Sequence, residues 1–243
     1  MTFRDTFWAV VDWLYPPKCA GCGAEGVFLC DECRSKLKPT GRRICPKCGK
    51  PLGKRRYCPL CARNDFLFET ARAPYVYGGA IGVLIRDLKY NGNLEISSVL
   101  GMMLAEFWPS LGRNVDLILP VPLSDSRVRQ RGFNQSERIA KALSRRIGIP
   151  CRPRALQKTR ETKTQVGLNM EERRENLYGA FAAEPCLVRG LDVLLIDDVM
   201  TTGSTFSECS GVLLDAGARS VICLSAATAA LRYGINRAVD TSL

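Results

Sequence analysis

Histidine is missing from all 243 residues. That removes the side chain that most often acts as general acid or base near neutral pH, and with it a frequent zinc ligand. Long apolar runs are missing too. No stretch approaches the roughly 18 uninterrupted apolar residues of a membrane helix, so no membrane span is expected. The stretch from Met1 to Tyr15 carries Asp5 and Asp12 inside its apolar portion and lacks a small-residue cleavage site, which argues against a secretory signal. A cytoplasmic location is the expectation. Acids are in deficit, with 24 Asp and Glu against 35 Lys and Arg and a formal charge of +11.

Cysteine is plentiful and ordered. Eight of the twelve form four Cys-x-x-Cys pairs: Cys19/Cys22, Cys30/Cys33, Cys45/Cys48 and Cys58/Cys61. Two thiolates at that spacing flank a tight turn and point at one tetrahedral centre, and two pairs close a structural zinc site. Gly23 and Gly49 directly follow pairs, where a knuckle turn favours positive φ. Disulfides are the alternative, disfavoured in a reducing compartment. The expectation is two zinc ions bound in sequence, the first by Cys19, Cys22, Cys30 and Cys33 and the second by Cys45, Cys48, Cys58 and Cys61. A cross-braced arrangement, first pair with third and second with fourth, stays open. Each four-thiolate zinc centre carries about −2, which brings the net charge to about +7. Cys151, Cys186, Cys209 and Cys223 lack partner spacing and read as core or surface thiols.

Between the pairs the module is basic. From Arg34 to Tyr57 there are ten cations and no acid. Such a surface either tracks a phosphate backbone or offsets the anionic zinc centres and keeps the domain soluble. Phe3, Phe7, Val10, Val11 and Leu14 have helical spacing and predict a helix packed on this module.

The strongest pattern lies near the other end. Val193-Leu194-Leu195-Ile196 reads as a buried parallel strand, with Asp197 and Asp198 at its C-terminal edge. Ionised carboxylates only accept hydrogen bonds, so a pair of them suits two vicinal hydroxyls. Thr201, Thr202, Gly203, Ser204 and Thr205 follow, offering backbone N–H groups and hydroxyls where a helix begins, a favourable place for a phosphate. The spacing fits the two ends of a phosphorylated pentose.

Asn64 to Glu69 reads as a linker. Beyond it, Ala73 to Gly79 suggests a strand and turn, followed by helices over Ile81 to Tyr90 and Leu94 to Phe107. Asp116 to Leu119 is a short strand stopped by Pro120-Val121-Pro122. Asn134 to Ile147 is an amphipathic helix capped near Asn134 or Ser136. Thr205 to Ala216 is the helix after the motif, and Arg219 to Ser225 a last strand. Strands alternating with helices predict an α/β fold, a parallel sheet with helices on both faces and ligand sites at the strand C-termini.

The run from Val193 to Thr205 resembles the phosphoribosyl-pyrophosphate (PRPP) motif of the type I phosphoribosyltransferases. With the four cysteine pairs, Lys89-Tyr90-Asn91-Gly92, Pro120 to Ser124, Arg127-x-x-x-Arg131-Gly132-Phe133-Asn134-Gln135-Ser136, and Arg160-x-Thr162-x-x-Gln165-x-x-Leu168 continuing to Arg173-x-x-Asn176 and Gly179-Ala180-Phe181, nearly the whole chain is similar to the ComF competence-protein family. The resemblance implies an N-terminal helix and double zinc ribbon over residues 1–63 and a phosphoribosyltransferase-like domain over 70–243. It implies that Asp197 and Asp198 hold the ribose and that Thr201 to Thr205 clamp the 5′-phosphate. Val121, Pro122, Leu123 and Ser124, with Arg131, take pyrophosphate, and Mg2+ arrives with PRPP. Lys89 belongs to the family's Lys-containing turn. Some nucleobase-using relatives carry an Asp where Thr201 stands. Transfer of phosphoribosyl to an acceptor is thus one implied function. The other is a non-catalytic, PRPP-sensing accessory protein that binds single-stranded DNA with the uptake machinery. The acceptor and the oligomeric state are left open by the sequence.

Overall fold

The computed structural model describes residues 16–162 and 176–231, so the expected N-terminal helix, Gln165, Leu168 and Arg173 lie outside the described residues. Within them the strands are β1 (Thr70–Arg72), β2 (Tyr75–Val76), β3 (Leu117–Pro120), β4 (Leu156–Lys158), β5 (Phe181–Ala183), β6 (Asp192–Met200) and β7 (Ser220–Thr228). The α-helices are α1 (Asp31–Ser35), α2 (Pro59–Arg63), α3 (Gly79–Tyr90), α4 (Ile96–Phe107), α5 (Asp125–Arg131), α6 (Gln135–Ile147), α7 (Pro185–Val188) and α8 (Ser204–Asp215). Among the described residues no helix is long and apolar enough to cross a membrane.

The main sheet runs β1-β7-β6-β3, with β2 also on β7, and every ladder in it is parallel. β6 sits inside because it is apolar at both parities. Val193 and Leu195 bury into one core and Leu194 and Ile196 into another, as a strand covered on both faces requires. On the first side lies α8, through Phe206, Cys209 and Leu213. On the second lie α3, α4 and α6. In α3, Ile81, Leu84, Ile85 and Leu88 are buried, a spacing that lays one helical stripe on the sheet. Asn134 Oδ1 accepts from Ser136 N at 3.0 Å to start α6, and Gly148 at φ 74° stops it. The sheet with helices on both faces is the expected fold class. A separate antiparallel ribbon, β4 with β5, was not legible in the sequence.

One expectation is corrected. The motif strand does not end at Ile196. It continues to Met200, because β7 stays in register alongside it, pairing Asp197 with Ser225 and Met200 with Thr228. The acids therefore lie within the strand. The linker from Asn64 to Glu69 has no helix or strand and is packed against the sheet domain. Phe66 and Phe68 stack with ring centroids 5.2 Å apart and both are buried. Leu67 N donates to Ser207 Oγ at 3.0 Å, and Glu69 N to Val221 O at 2.8 Å. Two rings at alternate positions of extended chain face the same way, and here that side is the α8 core.

The cysteine module is built onto the sheet. Thr40 N donates to Pro74 O, Val76 N to Lys38 O and Ala71 N to Lys47 O, all between 2.8 and 3.0 Å. The stretch from Lys38 to Lys47 thus covers the β1–β2 edge, which would otherwise present open donors and acceptors. Phe28, Leu29 and Leu37 pack with α3 and α4. Leu52, Leu60 and the second cysteine group pack on the α8 side.

The closest helix crossing gives a stability test. A Cβ on Gly101 of α4 would stand 2.5 Å from Ala142 Cβ of α6. Gly101→Ala is expected to lower stability by about 1–3 kcal/mol through overpacking, measured by urea unfolding. Adding Ala142→Gly should restore part of the loss.

Candidate functional site

Two cysteine groups are assembled, Cys19 with Cys22, Cys30 and Cys33, and Cys45 with Cys48, Cys58 and Cys61, the Sγ atoms of each lying within 4.8 Å of one another. The pairing is sequential, so the cross-braced alternative is excluded. All twelve cysteines are free of disulfides. Cys30 Sγ accepts from Cys33 N, and Cys58 Sγ from Cys61 N, both at 3.4 Å, the N–H to sulfur contact that steadies a thiolate ligand. Four thiolates per group at this separation fit tetrahedral Zn2+. Cys209 and Cys223 are buried, Cys151 is half-buried and Cys186 exposed, as read from sequence.

The basic face of this module is smaller than its composition suggests. Lys50 is only 1% exposed. Arg34 pairs with Glu106 and Lys36 with Glu32, and Lys47 lies 5.5 Å above the Phe68 ring. Arg42, Arg43, Lys54, Arg55 and Arg56 are exposed, with Arg56 set 5.8 Å from the Tyr57 ring.

At the C-terminal edge of the sheet, residues predicted separately come together. Asp198 is 3% exposed, and its Oδ2 lies 2.9 Å from Lys89 Nζ at the end of α3. Burial opposes the lysine charge, but Asp198 and, more weakly, Asp197 outweigh it and hold the ammonium above its usual range. Asp197 Oδ1 accepts from Ser136 Oγ at 2.7 Å and from Asp198 N at 2.9 Å. Ser136 lies in a stretch the sequence had tied to the family, but its contact with Asp197, 61 residues away, carried no local signal. Arg131 Nη1 donates to Gln135 Oε1 at 2.5 Å, and its guanidinium lies 5.5 Å from the Tyr90 ring.

The loop after β6 has the expected form. Gly203 caps α8 in the left-handed region at φ 92°, and the first helical amide, Ser204 N, donates to Thr202 Oγ1 at 3.3 Å, at a helix start of the kind that favours an anion. Gly203 lies close under two aromatic rings, and a Cβ there would meet Phe66 and Phe68 carbons at 3.5 and 3.6 Å. Thr202 and Ser204 hydroxyls are 2.9 Å apart. Thr201 is exposed and Thr205 half-buried.

On the neighbouring strand, Val121 N donates to Ile196 O at 2.8 Å and Val121 O accepts from Asn134 Nδ2 at 3.0 Å. These two bonds place the loop over Pro122, Leu123 and Ser124 beside the motif. Ser124 is buried, and Ser126 N donates to Glu161 Oε1 at 3.1 Å. Hydrogen bonds from Ser126 and Ser124 hold the Glu161 carboxyl below its usual range. A cavity of about 550 Å³ adjoins this loop, and Arg138, Lys141, Arg154 and Lys158 face it together with Asp125 and Glu137.

Burial, reinforced by the charge on Asp198, pushes the Asp197 carboxyl from 3.8 up to about 7. The folded chain therefore holds that proton where the unfolded chain has lost it, and stability falls as pH rises between those values. Asp197→Asn keeps an acceptor for Ser136 without the charge. Relative to the parent, its thermal stability should differ little near pH ~4 and gain on the order of 1–3 kcal/mol by pH ~8. A difference independent of pH contradicts this assignment.

A double zinc ribbon domain matches residues 10–62. The DNA utilization protein YhgH of Escherichia coli is 34% identical over 199 residues, spanning 79% of this chain and 87% of that protein. Competence protein F of Haemophilus influenzae is 30% identical over 215 residues, with 80% and 94% covered. Competence protein ComFC of Bacillus subtilis is 28% identical over 203 residues, with 78% and 79% covered. Among solved structures, an adenine phosphoribosyltransferase from Thermoanaerobacter pseudethanolicus overlaps 58% of this chain and 72% of its own, at 19% identity and a TM-score of 0.36. With a third of its residues shared across most of the YhgH sequence, and with a double zinc ribbon fused to a parallel α/β sheet, the chain belongs to the ComF competence-protein family.

Proposed function

We propose that the protein binds PRPP with Mg2+ and transfers its phosphoribosyl group to an acceptor nitrogen, releasing pyrophosphate. The observation that carries this reading is the cluster of Asp197, Asp198 and Lys89 at the mouth of the Thr201–Thr205 loop. Carboxylates there accept from the ribose hydroxyls and are the hard oxygen donors that the substrate's Mg2+ takes. The amides and hydroxyls of Thr201 to Thr205 receive the 5′-phosphate at the start of α8. The loop from Val121 to Ser124 and Arg131 face the pyrophosphate, where cationic and N–H groups stabilise the charge that develops as it leaves.

In the transfer, the acceptor lone pair forms a bond to the anomeric carbon while the bond from that carbon to the pyrophosphate oxygen breaks. The electron pair leaves with pyrophosphate. The proton shed by the acceptor passes to water, since the chain has no histidine to take it and its paired carboxylates are committed to the ribose.

A second reading has its own support. The relatives' names refer to DNA utilization and competence, and the exposed cations around Tyr57, itself 43% exposed, offer charge beside a stacking face. In that reading the chain senses PRPP without turnover and holds single-stranded DNA beside the uptake machinery.

Calorimetric titration with Mg2+ and PRPP should show binding that Asp198→Asn weakens at least tenfold, or about 1.4 kcal/mol; unaltered affinity contradicts the ribose assignment. A pyrophosphate-release screen across amines and nucleobases separates the two readings. Release with an acceptor supports transfer. Binding without release, with steeply salt-dependent affinity for single-stranded DNA that Arg55→Ala with Arg56→Ala flattens, supports the second.

A further inference from the structure

Lys50 is part of the second ribbon by sequence and of the sheet by contact. Its ammonium donates to Thr228 Oγ1 at 3.0 Å and to Ala229 O at 2.7 Å. A buried ammonium is costly unless it is bonded, so these contacts fix where it sits. Thr228 Oγ1 donates onward to Met200 O at 3.2 Å, and Ala229 N donates to the same carbonyl at 2.9 Å. Met200 is the last residue of β6, and the candidate phosphate loop begins with the next one. Both groups that hold the carbonyl at the loop's entrance thus belong to residues that Lys50 grips.

The other end of Lys50 is fixed by the cysteine knuckle. Gly49 N donates to Cys45 O at 2.9 Å, and Cys45 N to Lys50 O at 2.8 Å. Gly49, at φ 67°, rides so close to β1 that a Cβ would lie 2.5 Å from Ala71 O. Zinc held by Cys45, Cys48, Cys58 and Cys61 would lock this turn. The resulting centre, of about −2 charge, would also favour a nearby ammonium. The first ribbon packs elsewhere, on α3 and α4.

We propose that Lys50 is a positioning residue for the Thr201–Thr205 loop, making the loop's order depend on the second zinc ribbon. The proposal deepens the PRPP reading and rests on it for the ligand, but the order of the loop can be measured without one. In full-length Lys50→Met, zinc content should stay at two ions per chain, while amide hydrogen exchange over Met200 to Thr205 should speed up roughly tenfold and that of β3 and α6 change little. PRPP affinity should drop by a similar factor. Thr228→Val removes the relay hydroxyl and leaves the bond to Ala229, so a smaller effect in the same direction is expected. If Lys50→Met loses zinc or fails to fold, Thr228→Val decides. Unchanged exchange at Met200 to Thr205 with zinc retained overturns the proposal, as does exchange that accelerates equally everywhere. If the parent protein does not bind PRPP, the reading of the ligand fails while the exchange data still judge Lys50.

Discussion

The constraint on which this structure turns is the double burial of β6. Its alternate residues fill two separate cores, and parallel neighbours hold it on both sides. A strand so placed has one end at which function can be built, the C-terminal edge, where loops are free to vary without disturbing the cores. Everything of chemical interest gathers there: the acids of β6, the loop entering α8, the Pro-rich turn after β3, Lys89 from the end of α3, and Ser136 from the start of α6.

Putting two carboxylates at a nearly buried edge has an electrostatic cost, and the arrangement shows how it is met. Asp198 is given an ammonium at 2.9 Å. Asp197 receives a hydroxyl and a backbone N–H, which lower its pKa but do not offset the rise that burial and the Asp198 charge produce. A chain without histidine obtains a group near neutrality in this way.

Much of this was legible in the sequence, for local reasons. The apolar run, the acids and the Thr-Gly loop are consecutive, so strand, site and helix could be read in order. The cysteine pairs declared their metal chemistry, but spacing is silent about which pair joins which. Tertiary packing supplied that answer. Three features were misread or missed because their cause lies far along the chain. Met200 belongs to the strand because Thr228 pairs with it. Phe66 and Phe68 are core because α8 is there to receive them. Lys50 looked like one of ten surface cations, and its burial and its bonds to Thr228 and Ala229, far along the chain, show otherwise.

The ribbons are thus packed onto the sheet, and Lys50 of the second is bonded to Thr228 and Ala229, beside the point where the candidate ligand loop begins. The most direct test of the account is an experimental structure of the full chain with Mg2+ and PRPP. The account predicts the 5′-phosphate on the amides of Thr201 to Thr205, the ribose hydroxyls at Asp197 and Asp198, and pyrophosphate toward Arg131. PRPP bound elsewhere, or with those carboxylates still closed against Lys89 and Ser136 and the loop empty, would contradict it.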